Sequence, residues 1–135
     1  YWVDSGLCCR LLGIQDPQHL STHPARGALF ESWVISELMK GRLNRGERPN
    51  AFFWRDHLGT EVDVVIDHGA TLLPIEVKSG STIASDWFSG LAKWRSLANA
   101  VAERSTLVYG GEESLERQDT RIVSWKHLRG LTEQV

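Results

Sequence analysis

Cysteine and net charge are both scarce in this chain, and each scarcity excludes something. The two cysteines, Cys8 and Cys9, are neighbours, a spacing that suits neither a disulfide framework nor a zinc site. They read instead as a small apolar pair on a short helix from Gly6 to Leu12, in a reducing cytoplasm. Fifteen Lys and Arg against seventeen Asp and Glu leave a formal charge of −2, far from the basic balance usual in nucleic-acid-binding domains. No apolar run approaches the ~20 residues of a membrane span, and no signal peptide opens the chain. No Gly-x-x-x-x-Gly-Lys-Ser/Thr loop occurs, so the sequence holds no ATP site. The five histidines are scattered and none reads as a ligand. Tyr1 is not an initiator methionine, and the chain reads as a fragment of a larger protein.

What is present fits one globular unit over residues 1–135, with 41% hydrophobic and 24% charged residues and no repeat, linker or low-complexity tract. Pro24 to about Leu43 reads as a helix, with Thr22 as cap and Pro24 in the first turn. Ala51 to Arg55 reads as a strand that leads through His57-Leu58-Gly59 into an acidic hairpin. Ser85 is expected to cap a helix reaching about Arg104, with Trp87, Leu91, Trp94, Leu97, Ala98 and Val101 along one face. Thr106–Tyr109 and Arg121–Trp125 read as strands separated by a polar loop from Gly110 to Thr120, and Lys126–Leu131 as a short terminal helix. Most of the six tryptophans are expected in the core. This order of elements implies an α/β architecture, a mixed central β-sheet flanked by helices on both faces.

The hairpin carries the chemistry. In Glu61-Val62-Asp63-Val64-Val65-Ile66-Asp67 and Pro74-Ile75-Glu76-Val77-Lys78 apolar residues alternate with charged ones, and His68-Gly69-Ala70 supplies the turn. With Asp67 opposite Leu72, the same register sets Asp63 opposite Glu76 and Glu61 opposite Lys78. Opposed Cβ atoms lie ~5 Å apart, close enough for two carboxylates to share one divalent cation. Hard oxygen ligands of this kind suit Mg²⁺ or Mn²⁺, which can activate a water for attack on phosphorus while a lysine steadies the developing charge. On spacing alone, such a hairpin is more often an outer face of solvated ion pairs worth ~0–1 kcal/mol each.

A third acid adds to the pattern. Glu31 stands three, four and seven positions before Val34, Ile35 and Leu38, on the helical stripe that faces the core. A carboxylate there needs a cation or hydrogen-bond donors. It is the ragged edge of the stripe, or an acid paired with Arg26 or Arg55, or an acid aimed at the metal.

Glu31 on a helix, Asp63 on a strand and Glu76-Val77-Lys78 on the next strand together resemble the core of the PD-(D/E)XK nuclease superfamily. More narrowly, the chain resembles the uncharacterised domain at the C-terminus of prokaryotic AAA+ ATPases. The matching segments are Val3-Asp4-Ser5-Gly6-Leu7, Leu11-Leu12-Gly13, Gly27-Ala28-Leu29-Phe30-Glu31-Ser32-Trp33-Val34, Glu37-Leu38, Phe52-Phe53-Trp54-Arg55, Glu61-Val62-Asp63 and Ile75-Glu76-Val77-Lys78-Ser79. They reach to about Trp94 and weaken beyond it. The resemblance implies a restriction-endonuclease-like core in which Asp63, Glu76 and the Val77 carbonyl hold Mg²⁺ or Mn²⁺. Glu31 would join directly or through water, and Lys78 would assist phosphodiester hydrolysis. Implied partners are DNA and an ATPase domain of the same full-length protein. Two departures stand out: valine precedes Asp63 in place of proline, and the helix after Lys78 lacks a Gln-x-x-x-Tyr pattern.

Two further readings stay open. Arg42, Arg45, Arg48 and Arg55 cluster where they could contact DNA phosphates, or they are favourable charge at a helix end followed by a solvated loop. The domain itself is either an enzyme or a non-catalytic module that keeps the nuclease fold to recognise DNA or protein.

Overall fold

The computed structural model describes residues 1–98, 101–117 and 119–135. Asp4 starts the first helix, α1 (Ser5–Leu11), by accepting the Leu7 N–H at 2.8 Å. Cys8 is buried on it, Cys9 is half-buried and both thiols are free. Asp16 and Pro17 then start a helix that the sequence analysis did not anticipate, α2 (Pro17–Thr22), with Asp16 Oδ1 accepting the His19 N–H at 2.7 Å. Thr22 therefore ends α2 and caps nothing. Pro24 lies in the connecting turn, and α3 (Arg26–Asn44) begins two residues later without a side-chain cap.

Six strands follow: β1 (Ala51–Arg55), β2 (Glu61–Asp67), β3 (Leu72–Lys78), β4 (Ser105–Tyr109), β5 (Leu115–Arg117) and β6 (Thr120–Ser124). They form one mixed sheet in the order β1-β2-β3-β4-β6-β5. β1, β2 and β3 are antiparallel neighbours, β4 runs parallel to β3 and β6, and β5 returns antiparallel along the edge. β5 lies inside the stretch expected to be loop, and its three exposed residues offer no apolar alternation.

Helices cover both faces. On one, Val34, Ile35 and Leu38 of α3 and Leu128 and Leu131 of α5 (Leu128–Thr132) pack on Val64, Ile66, Leu73, Ile75, Val77, Val108 and Val123. On the other, Leu91 and Trp94 of α4 (Ser89–Ala98) pack on Val62 and Val65. The last predicted helix is a 3-10 turn, Trp125–His127, followed by α5; Ser124 Oγ accepts the Lys126 N–H and ends β6 one residue early.

The long helix expected from Ser85 to Arg104 is shorter. Ser85–Phe88 is a 3-10 turn without a side-chain cap, and α4 is described to Ala98; residues 99 and 100 lie outside the described residues. Leu97 is 60% exposed and Val101 43%. Leu97 stands ~120° around a helix from Leu91, off the stripe that Leu91, Trp94 and Ala98 share. The tryptophans also depart from expectation: Trp94 alone is buried, Trp33, Trp54 and Trp87 are half-buried, and Trp2 and Trp125 are exposed. Amphipathic rings at the rim keep one edge in water. Among the described residues, no helix is long and apolar enough to cross a membrane.

One irregularity positions the site. Ala51 and Phe52 pair with Ile66 and Val65, but Trp54 and Arg55 pair with Val62 and Glu61. Phe53 thus faces two residues, Asp63 and Val64, which is a β-bulge on β2. It explains why Val62 and Val65, three apart, both pack toward α4 when strict alternation would part them.

Candidate functional site

The β2–β3 turn sets Asp67 opposite Leu72, as the hairpin register requires, and pairing continues through Val64–Ile75. There the ladder stops. Asp63 and Glu76 do not form a rung, nor do Glu61 and Lys78. Asp63, at the bulge, turns along the sheet and its Oδ2 accepts the Val77 N–H at 2.7 Å. Glu61 pairs on the opposite side, with Arg55.

Asp63 and Glu76 are each only 6% exposed. Leu73, Ile75 and Val77 face α3, so alternation turns Glu76 and Lys78 toward α4. Lys78 Nζ bonds Glu76 Oε1 at 2.5 Å, while Glu76 Oε2 is buried with no hydrogen-bond partner among the described residues. Such an orphaned carboxylate oxygen is costly and calls for a partner that the described residues do not supply. Burial, and next the neighbouring Asp63, pushes the Glu76 carboxyl up to about 7. Asp63 is raised chiefly by burial, which outweighs its bond from Val77. Burial works against the Lys78 ammonium, yet the Glu76 bond and the surrounding acids hold it above its ordinary range.

Glu31 reaches the same region from α3, across the sheet from Glu76. Burial, and then Asp63, raises its carboxyl. Tyr1, which sequence reasoning passed over, belongs here too: its hydroxyl donates to the Asp63 carbonyl oxygen at 2.9 Å. Burial and the adjacent Glu31 hold its phenol well above the usual range. Nothing in the sequence pattern marks a first residue as part of a site sixty positions on. Although Glu31, Asp63 and Glu76 lie near enough to act on one another, no three Asp, Glu, His or Cys side chains among the described residues stand grouped to hold a metal as placed. The donor chemistry still fits a hard cation. Asp63 and Glu76 are buried at one end of the sheet, and among the described residues the Glu76 Oε2 there has no hydrogen-bond partner.

A polar cleft of about 390 Å³ opens beside Glu76 and Lys78, walled by Thr60, Glu61, Trp87 and Gly90. Gly90 permits it: a Cβ there would stand 2.5 Å from the Glu61 carbonyl oxygen, so only glycine lets α4 approach β2 this closely. The Leu58–Thr60 wall is held by Asp56, which accepts the Leu58 and Thr60 N–H groups and pairs with Lys93 at 2.5 Å.

The four arginines expected at DNA do not gather around the acids. Arg55 is nearby, 3.9 Å from Glu61. Arg42, Arg45 and Arg48 lie at the far end of α3, ~20 Å along the axis from Glu31. Arg42 and Arg45 flank Glu47 at 3.4 and 2.7 Å, and Arg42 Nε donates to the Arg48 carbonyl.

A mixed α/β domain with a buried acid pair and a lysine at the open end of an antiparallel hairpin is the class these observations define. Residues 26–128 match the family described as a domain of unknown function, DUF4143, and the chain belongs to that family. It is also similar to two curated proteins, Uncharacterized protein Mb2031c of Mycobacterium bovis and Uncharacterized protein Rv2008c of Mycobacterium tuberculosis. Each is 30% identical over 127 residues, covering 90% of this chain and 26% of the relative. The chain therefore spans about a quarter of the length of the curated relatives it matches.

Proposed function

We propose that this domain is a metal-dependent phosphodiesterase of the PD-(D/E)XK type, with a restriction-endonuclease-like core, that acts on DNA. The observation that carries the reading is Glu76 Oε2, a buried carboxylate oxygen without a partner, beside buried Asp63 and facing a polar cleft with Lys78. Asp63, Glu76 and the Val77 carbonyl would hold Mg²⁺ or Mn²⁺, with Glu31 joining directly or through water. The ion, when bound, supplies Lewis-acid polarisation of a phosphoryl oxygen and a water of lowered pKa. Lys78, half-buried at the cleft wall, steadies negative charge on the phosphate oxygens. Asp63 keeps the Val77 amide satisfied and so fixes the backbone carrying both ligands. In the full-length protein the domain works with an ATPase domain, since domains of this family commonly occur with AAA ATPases.

A second reading rests on a specific contact. Lys78 already neutralises one oxygen of Glu76, and Arg42 and Arg45 already engage Glu47. On that view the fold is kept as a recognition module for DNA or protein and no hydrolysis occurs.

Titrating the protein with Mn²⁺ by electron paramagnetic resonance, with short duplex DNA present, separates the two. The proposal expects binding in the wild type that disappears in Asp63→Ala and Glu76→Ala. Equal signals in all three would leave the recognition module as the better reading.

A further inference from the structure

On the other flank of the 3-10 turn and α4, away from the acids, lies a second polar cleft of about 260 Å³. Its walls include Phe88, Arg95, Ser105, Arg117, Asp119 and Thr120. Arg117 stacks over the Phe88 ring, 4.9 Å from its centroid, and has no carboxylate partner among the described residues. Stacking of this kind fixes a planar guanidinium and lowers the entropy lost when it binds an anion. Arg95 is held at the surface: its Nη1 is 3.3 Å from the Asp119 carboxylate, which is 78% exposed, and donates to the Asp119 carbonyl oxygen at 3.4 Å. The floor is β4. Leu107 and Tyr109 project from β4 toward Trp87 and Phe88, so alternation sends Ser105 to the same face. Ser105 is wholly buried, and among the described residues its hydroxyl has no hydrogen-bond partner.

We infer that this cleft binds a phosphate group, taken by the Arg117 and Arg95 guanidinium forks and completed by the Ser105 hydroxyl, with Asp119 as the internal competitor it displaces. Guanidinium forks match phosphate oxygens in pairs. The orphaned hydroxyl is a donor awaiting an acceptor, and the weak Asp119 contact yields to a stronger anion. The site goes beyond the metal reading and does not depend on it, because none of its groups belongs to the acid cleft. Its phosphate comes either from a free phosphate or monoester, or from the backbone of a polynucleotide.

The test is calorimetric titration of the 135-residue protein with inorganic phosphate, at low salt with EDTA present so that the acid cleft takes no metal. Arg117→Gln is expected to weaken binding roughly tenfold, as loss of a charged hydrogen-bonding partner does. Asp119→Asn is expected to tighten it several-fold, and Glu133→Gln, which removes an exposed acid just after α5, to leave it near the wild-type value. Ser105→Ala should weaken binding without lowering the melting temperature, since in the free protein its hydroxyl has no partner to lose. A structural serine would show the reverse. No binding by the wild type, equal binding by Arg117→Gln, or a Glu133→Gln effect as large as that of Asp119→Asn would overturn the assignment. An oligothymidylate without terminal phosphates then identifies the source: displacement of inorganic phosphate by it means backbone phosphates, and failure to displace means a free phosphate or monoester.

Discussion

Asp63 Oδ2 accepts the Val77 N–H at 2.7 Å just where the β2–β3 ladder ends. One carboxylate therefore has a structural task and a proposed chemical one. Asp63→Ala leaves a buried N–H unpaired, a loss of about 1–3 kcal/mol. Asp63→Asn keeps an amide oxygen for that bond and removes the charge that opposes Glu76. The asparagine variant is expected to be at least as stable as the wild type in urea at pH 7.5 and the alanine variant less stable. A clear loss of stability in Asp63→Asn would show that the carboxylate is needed for more than this bond.

Stability should fall as the solution turns from acid to neutral. The Glu76 carboxyl moves from an ordinary 4.5 to about 7 in the folded protein. Between those values the folded state holds more protons than the unfolded one. Its contribution is fully present below about pH 4.5 and lost as pH rises through about 7, on the order of 3 kcal/mol. Asp63 and Glu31 are shifted the same way. Asp56 is shifted oppositely, to about 2, so its contribution is lost only in strong acid. Denaturation at several pH values should show this slope in the wild type and a flatter one in Glu76→Gln. Divalent-metal affinity should rise over the same range, because the ligands must lose their protons.

Gly90→Ala should destabilise the protein by about 1–3 kcal/mol, although alanine favours helix by up to ~1 kcal/mol. The added methyl meets backbone, the Glu61 carbonyl at 2.5 Å, which cannot swing aside as a side chain would. The urea midpoint reads this directly, and a midpoint at or above the wild type would mean that α4 can stand off β2 without loss.

Asp56→Ala should loosen the cleft wall. With its carboxylate gone, the Leu58 and Thr60 N–H groups lose their acceptor and Lys93 its ion partner. Amide hydrogen exchange at Leu58 and Thr60 is expected to quicken, while exchange at Leu107 and Val108, on the central strand β4, stays slow.

Much of the scaffold can be read from residue order, and the exceptions have physical causes. The hairpin register follows from a tight turn, because a one-residue slip would send every core valine to the wrong face. The mixed sheet flanked by helices follows from the strand and helix periods. The bulge at Asp63 has no such signature, since Val62, Val64 and Val65 are all apolar and all buried, so their pattern does not show which of them changes face. α2 was legible in Asp16-Pro17, a capping residue followed by proline. β5 was not, being three exposed residues held by pairing alone. In the site, Asp63 and Glu76 are both buried and Lys78 pairs with Glu76, but not through the cross-strand rungs that the spacing implies, because the pairing ends at Val64 and Ile75. The arginines illustrate distance along a helix: neighbours in sequence to one another, they stand far from the acids because α3 is long.

The bulge also limits how this sheet can be altered. Removing one residue at Asp63 would bring β1 and β2 into unbroken register, and a designer seeking regular strands would be drawn to that deletion. The result would be a tidier hairpin without its central acid, leaving the Val77 amide unclaimed. In this protein, a regular strand and a buried acid compete for a single position, and improving the first erases the second.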